Sequence, residues 1–362
     1  MRFKAGIQPD WVIKQCFDHG LIQSQVPLVD GQIQPASLDL RLGKRAHRVR
    51  ASFLAGRGFS VEQRLSERAL HSVDLSQGAV LETGCVYIAE LLEAVSLNEF
   101  VSAATNPKSS TGRIDVFTRV ITDNGVEFDT IEAGYTGPLY LEISPRTFPI
   151  LVRTGSRLSQ MRLRSGVVRL NDADVLELHQ RETLVSSKNP RLEGGVGLSV
   201  DLSGFNEQGL IGYRAKNFTG LIDVDYVAGY RTQDYWEPLH SDHTGSLILD
   251  PGHFYILASR EAVHVPPETA AEMMPFDALV GEFRVHYAGF FDPGFGHDAS
   301  GGKGARAVLE VRSRDVPFYL EDGQAVGRLV YERMSDLPKD IYGAQRGSNY
   351  QAQSLKLSKH FK

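Results

Sequence analysis

The sequence predicts a mainly-β protein made of two tandem, related modules. Three observations carry that expectation: apolar segments of strand length, turn residues between them, and an internal repeat. The apolar pieces are 80–89, 137–143, 152–163, 253–258 and 305–311. The 362-residue chain spreads 35 Gly and 16 Pro among them, with turns such as Asp123-Asn124-Gly125 and Asp322-Gly323. Many short strands with frequent turns read as a sandwich or a barrel. Helices are few. One is expected over 9–19, where Asp10 bears on the first turn, Trp11, Ile13 and Phe17 are apolar, and Gly20 stops it. A second is expected over 61–69 and a short turn of helix over 267–274.

The repeat has an offset of 168. Gly84, Tyr87, Ile88, Glu93, Ala94 and Val95 fall on Gly252, Tyr255, Ile256, Glu261, Ala262 and Val263, six identities in twelve positions. Chance would give about one. Leu141, Glu142, Arg146, Pro149 and Gly155 likewise fall on Leu309, Glu310, Arg314, Pro317 and Gly323. Near the start of each half, Ser37-Leu38-Asp39-Leu40 matches Ser199-Val200-Asp201-Leu202 at an offset of 162. The expected modules are 1–170 and 190–362. A polar stretch, 171–191, joins them and ends in Asn189-Pro190, with Gly194-Gly195 beyond it. What both modules share is demanded by the fold; what one alone has is a candidate for function.

Charge narrows the function. Lys plus Arg is 39 and Asp plus Glu is 44, a formal net charge of −5. That excludes a bulk surface built to grip nucleic acid or anionic membrane, though not a local phosphate pocket. Cys16 and Cys85 are too far apart for a CxxC pair or a disulfide framework. No 18-residue apolar run marks a membrane span, and Met1-Arg-Phe-Lys-Ala does not open a cleavable leader. A cytoplasmic, reduced enzyme or binding protein is expected.

The chemistry concentrates in Lys108-Ser109-Ser110-Thr111-Gly112-Arg113. A cation, hydroxyls and a guanidinium within six positions suit phosphate oxygens. The second module has Phe276-Asp277-Ala278-Leu279-Val280-Gly281 there, so those donors are gone. Ser-Ser-Thr-Gly is also ordinary turn composition, but a turn demanded by the fold should look alike in both modules. Glu142, inside Tyr140-Leu141-Glu142-Ile143, is an acid in an apolar strand. Apolar walls would raise its pKa and suit it to general acid–base work. A solvent-facing strand position is the alternative, and Glu310 repeats it. His240-Ser-Asp-His243 reads as a polar loop, and Gly294-Phe-Gly296 with Gly301-Gly302-Lys303-Gly304 as a hairpin loop. Lys44, Arg45 and Arg50 read as a solvated strand edge. No zinc-deaminase pattern, Walker A loop or dinucleotide fingerprint is present.

These runs resemble the dCTP deaminase family. Lys108 to Arg113, followed by Gly134-Tyr-Thr-Gly-Pro-Leu-Tyr-Leu-Glu142, is similar to its paired motifs. Pro35-Ala-Ser-Leu-Asp-Leu-Arg-Leu-Gly43 resembles its early strand motif, and Gly155 to Leu163 a late one. Tyr342 through Tyr350 to Gln353 resembles its C-terminal lid segment. The resemblance covers nearly the whole chain as a two-copy version of a single-copy protein. It implies tandem modules of the trimeric dUTPase-like β-barrel and deamination of dCTP to dUTP and ammonia. It implies Glu142 as general base, Ser109 beside the reacting water, and Arg113 in the site. Lys108, Ser110, Tyr135, His286, Tyr342, Tyr350, Gln353 and Lys356 would bind substrate, with Lys356 or Lys359 replacing a family Lys where this chain has Asn349. Magnesium would accompany the triphosphate, with no zinc and no metal held by the protein. A homo-oligomer with sites between modules, and dTTP as inhibitor, are also implied.

Two departures leave alternatives open. Extra residues lie around 123–131, and Val285-His286-Tyr-Ala-Gly289 with Asp292-Pro-Gly294 resembles the family's base-cradling run better. A composite site would then take Ser109 and Arg113 from one copy, with Glu310 and the His286 loop from the other. Ile131-Glu-Ala-Gly-Tyr-Thr-Gly137 resembles the hairpin of dUTP diphosphatases, with Glu132 at the water-activating acid. A dUTP diphosphatase, a bifunctional enzyme making dUMP, and a non-catalytic nucleotide-binding regulator are the rival functions.

Overall fold

The computed structural model describes residues 1–242, 244–275, 289–300, 302–313, 315–343 and 355–362, with the backbone of Phe283–His286. The chain divides into two compact units. The first comprises Met1–Val168, Gly220–Gly229 and Met334–Lys339; the second comprises Arg169–Thr219, Tyr230–Arg333 and Asp340–Lys362.

Six strands frame the first unit: β1 (Leu38–Val49), β2 (Val86–Ser96), β3 (Val101–Pro107), β4 (Val116–Thr122), β5 (Thr136–Pro145) and β6 (Arg157–Ser165). Their order is β4-β5-β2-β1-β6-β3, with antiparallel pairing throughout. Alternation sets the faces: Val116, Thr118 and Val120 are buried while Phe117 and Arg119 are half-buried. Leu38, Leu40 and Leu42 of β1 have no exposed surface, and each such burial stabilises by about 1.5–3 kcal/mol. The sheet curls into a nearly closed barrel. Asp129 bridges the end strands: its N–H donates to Val120 O at 3.0 Å, and Thr105 N–H donates to its carbonyl at 2.9 Å.

Helix α1 (Asp10–Asp18) and helix α2 (Val61–Arg68) form where expected. Ser60 caps α2 in a reciprocal box with Gln63. Its Val61 and Leu65 pack with Val49, Phe53 and Ile88. A single helical turn, α3 (Ser109–Gly112), follows β3.

The stretch expected as a polar join contains a capped helix, α4 (Asp172–Arg181), in the second unit. Six strands then repeat the first unit's set: β7 (Val196–Ser199), β8 (Phe254–Val263), β9 (Thr269–Pro275), β10 (Phe283–His286), β11 (Ala305–Ser313) and β12 (Ala325–Arg333). Here β10-β11-β8 lie in one sheet and β7-β12-β9 in another. The 12-residue β1 has its counterpart in two pieces, β7 and a second strand, Leu210–Ala215. The pairing that runs from β1 to β2 is kept by the second piece, where Tyr213 and Arg214 lie opposite Ile256 and Tyr255 as His47 and Arg48 lie opposite Ile88 and Tyr87; at the first piece it is an isolated bridge, Val200 to Ser259.

Ladder registers test the repeat directly. Glu142 sits opposite Ile88 on one side and Arg119 on the other. Glu310 sits opposite Ile256 and His286. The offset of 168 therefore holds for the two glutamates and their Ile88 and Ile256 partners, while Arg119 and His286 are one position off it. The early match at 162 does not. Leu38, Asp39, Leu40 and Arg41 pair with Met161, Gln160, Ser159 and Arg157. Val196, Gly197, Leu198 and Ser199 pair with Leu329, Arg328, Gly327 and Ala325, 168 positions further on. Asp39 thus corresponds to Gly197 and Arg41 to Ser199; Asp201 only imitates the motif.

One further expectation is corrected. Residues 267–274 hold no helix: Thr269–Pro275 is a strand paired with β12 along its whole length. The end of the chain is packed. Leu357, Ser358 and His360 are buried, and the Phe361 ring packs against Tyr235 and Trp236 at 5.4 and 5.8 Å. Among the described residues no helix is long and apolar enough to cross a membrane.

Candidate active site

The Lys108–Arg113 run is a turn pinned at both ends. Lys108 is extended, and its carbonyl accepts Thr111 and Gly112 N–H at 2.8 and 3.0 Å. Asp115 then enters the left-handed region at φ 56 and ends the turn. Its carboxylate accepts the Thr147 hydroxyl at 2.5 Å. Ser110, Thr111 and Arg113 are buried, whereas Lys108 and Ser109 are partly open. Buried Asp39 of β1 takes Lys108 Nζ at 2.5 Å and Arg157 Nη1 at 3.3 Å. Two half-open cations on one buried carboxylate make a fixed positive rim, suited to oxyanions. Sequence reasoning quoted Asp39 and the strand of Arg157 but did not join them to Lys108. Register was the missing signal: Gln160 opposite Asn106 on β3 and Asp39 on β1 brings all three strand ends together.

Glu142 is almost fully buried on β5, but its neighbourhood is not the apolar wall expected. Arg119, opposite it on β4, donates Nε and Nη2 to Oε1 at 3.0 and 2.6 Å. Arg119 is itself held by Ser52 Oγ at 2.7 Å and lies 3.6 Å from the Phe128 ring centre. The other carboxylate oxygen, Oε2, is buried with no hydrogen-bond partner among the described residues. An uncapped buried oxygen is costly in a fold and marks a position where a ligand or water completes the bonding.

Asp129, which sequence reasoning passed over, completes the group. Its carboxylate accepts Val120 N–H at 2.8 Å and Thr105 Oγ1 at 2.7 Å, on a backbone with φ 60. Burial pushes its pKa up to about 6, and the Glu142 charge adds to that, against the lowering effect of its hydrogen bonds and Arg119.

The remaining residues are placed as follows. Tyr135 donates its hydroxyl to Pro138 O at 2.7 Å and accepts Asp123 N–H at 3.2 Å, closing the hairpin before β5; burial pushes it up to about 12. Glu310 is buried on β11, and the His286 backbone pairs with it. Tyr342 packs its ring 5.7 Å from Phe295. Lys356 is exposed. Tyr350, Gln353, His243 and the Phe276–Gly281 stretch lie outside the described residues. The contacts that fix Lys108 come from β1 and β6, and those that fix Glu142 come from β4.

Comparison with known proteins decides the family. The N-terminal domain model of 2'-deoxycytidine 5'-triphosphate deaminase matches residues 4–167, and the C-terminal domain model matches 171–361. The chain belongs to the dCTP deaminase family. A solved dCTP deaminase from Agrobacterium tumefaciens is 63% identical, covers 91% of this chain and 99% of its own, and superposes with a TM-score of 0.88. A dCTP deaminase of Halorubrum lacusprofundi is 27% identical over 190 residues, 51% of this chain and 86% of that protein. A dUMP-forming dCTP deaminase of Sulfurihydrogenibium sp. is 28% identical over 155 residues, 42% of this chain and 79% of that protein. As a dCTP deaminase family member the chain is a hydrolytic deaminase, with dCTP and dUTP as its nucleotides.

Proposed function

We propose that the chain hydrolyses the C4 amine of dCTP, giving dUTP and ammonia, and that Glu142 is the base. The observation that supports Glu142 is its divided carboxylate. Oε1 is tied by two Arg119 donors, while buried Oε2 has no partner among the described residues. Arg119 occupies one oxygen, and Oε2 is left to accept a proton. Water adds its oxygen to C4 as Oε2 takes the proton; the same carboxyl then returns it to the departing amine. A base in this role contributes ~10²–10⁴-fold.

Ser109 at the open end of α3 is the hydroxyl beside that water, with Ser110 and Arg113 behind it. Lys108 and Arg157 face the triphosphate from their common anchor on Asp39. Magnesium enters with the triphosphate as part of the substrate, and zinc has no role. Among the described residues no group of three or more His, Cys, Asp or Glu is placed to hold a metal. A homo-oligomer, inhibition by dTTP and a cytoplasmic setting complete the proposal. The second reading places the base at Glu310, because its strand position repeats that of Glu142.

Product analysis tests the reaction. EDTA-treated protein given back magnesium alone should release one ammonia per dUTP from dCTP. Formation of dUMP, absence of ammonia, or a requirement for zinc would overturn it.

A further inference from the structure

The second unit contains a cavity of about 840 Å³ that the first unit's polar side chains do not leave. Its origin is traceable residue by residue. In the first unit Glu93 accepts Arg41 N–H at 2.7 Å and Arg41 Nε at 2.7 Å. The rest of that guanidinium fills the adjoining space and donates to Pro27 O, Val26 O and Ser24 Oγ. In the second unit Glu261 accepts the same two kinds of donor from Ser199, N–H at 2.8 Å and Oγ at 2.6 Å. The carboxylate is satisfied, but the arginine's bulk is gone. Asp39 and Arg157 become Gly197 and Ala325 at the paired positions. Three truncations on two adjacent strands leave the hollow.

The same exchange moves the positive charge to other positions. Gln160 of the first unit corresponds to Arg328, and Arg191 and Arg260 line the hollow from two other segments. Arg328 lies flat on the backbone at Gly194: a Cβ there would come 2.5 Å from its Nη1, and φ is +64. Arg260 pairs with Asp322, and among the described residues Arg191 makes no ion pair. Of the two lining carboxylates, Glu261 already has a donor on each oxygen. Three guanidiniums from separate segments favour a multiply charged oxyanion, which they can grip bidentately. The volume matches a molecule of nucleotide size.

We propose that this hollow in the second unit is a binding site for a phosphorylated small molecule, separate in residues from the Lys108–Glu142 machinery. The proposal does not depend on the deaminase reading, because binding is measured directly. Calorimetric titration of the full chain would use inorganic tripolyphosphate, ATP (neither substrate nor product) and citrate. The expected result is a site for tripolyphosphate and ATP, weakened at least tenfold in Arg191→Ala/Arg328→Ala while dCTP turnover without added ligand is unchanged. Ser199→Arg, which restores the first unit's arginine beside Glu261, should block the same site and covers the case in which the double variant does not fold. Identical binding in wild type and the folded variants, no binding at all, or citrate binding as tightly as tripolyphosphate would overturn the proposal.

Discussion

Glu93 and Glu261 hold the same place in the two units and accept the same pair of donors, a backbone N–H and a side chain one strand away. In one unit the side chain is arginine, in the other serine. The neighbouring Asp39, Lys108 and Arg157 correspond to Gly197, Phe276 and Ala325. The ladder tolerates this exchange because backbone pairing is indifferent to most side chains. The difference teaches that duplication preserved the registers and rewrote the polar groups. Chemistry in this protein is therefore a property of which side chains stand on a common frame.

Writing the second unit's residues into the first is the strongest way to sharpen that contrast. Asp39→Gly with Arg157→Ala should unpin Lys108 and lower kcat/KM for dCTP by about a hundredfold, since a small misplacement of a binding group costs that much. The strand ladder should survive, as read by circular dichroism. Unchanged steady-state kinetics would show that the rim is only structural.

The second unit has an anchor of its own at the chain end. Phe361→Ala should destabilise by about 2 kcal/mol, less than for a fully buried aromatic because the ring is partly exposed. Urea denaturation measures this; an unchanged midpoint would mean that the end contributes no packing.

The smallest effect concerns the barrel closure of the first unit. Asp129 has a folded pKa of about 6, above the ordinary value near 4. Folding then favours its protonated form. Its contribution is full below about pH 4 and is lost as pH rises through about 6, at no more than about 1 kcal/mol per pH unit. Asp129→Asn should flatten stability over that window. A slope equal to that of wild type would remove Asp129 from the account.

Much of this was legible in the residues, and the failures have physical causes. The 168-residue offset predicted that Glu142 and Glu310 would occupy one ladder position, and they do. The Ser37 and Ser199 motifs looked equivalent because letters matched, whereas register obeys hydrogen bonding and puts Arg41, not Ser37, in the place of Ser199. Thr269–Pro275 is rich in Ala, Glu and Met, good helix formers, and pairing along β12 overrode that propensity. Arg119 could not be assigned to Glu142 from sequence, because 23 residues and an extended loop separate them. Asp129 lay within the recognised extra residues, but its role depends on a left-handed backbone that no short motif announced.

The central claim is that the first unit supplies the catalytic carboxylate. The direct test is ammonia release from dCTP by Glu142→Gln and Glu310→Gln, each verified as folded and measured side by side. The account predicts a loss of ~10²–10⁴-fold for Glu142→Gln and a rate within a few-fold of wild type for Glu310→Gln. The reverse pattern would contradict it and move the base to the second unit.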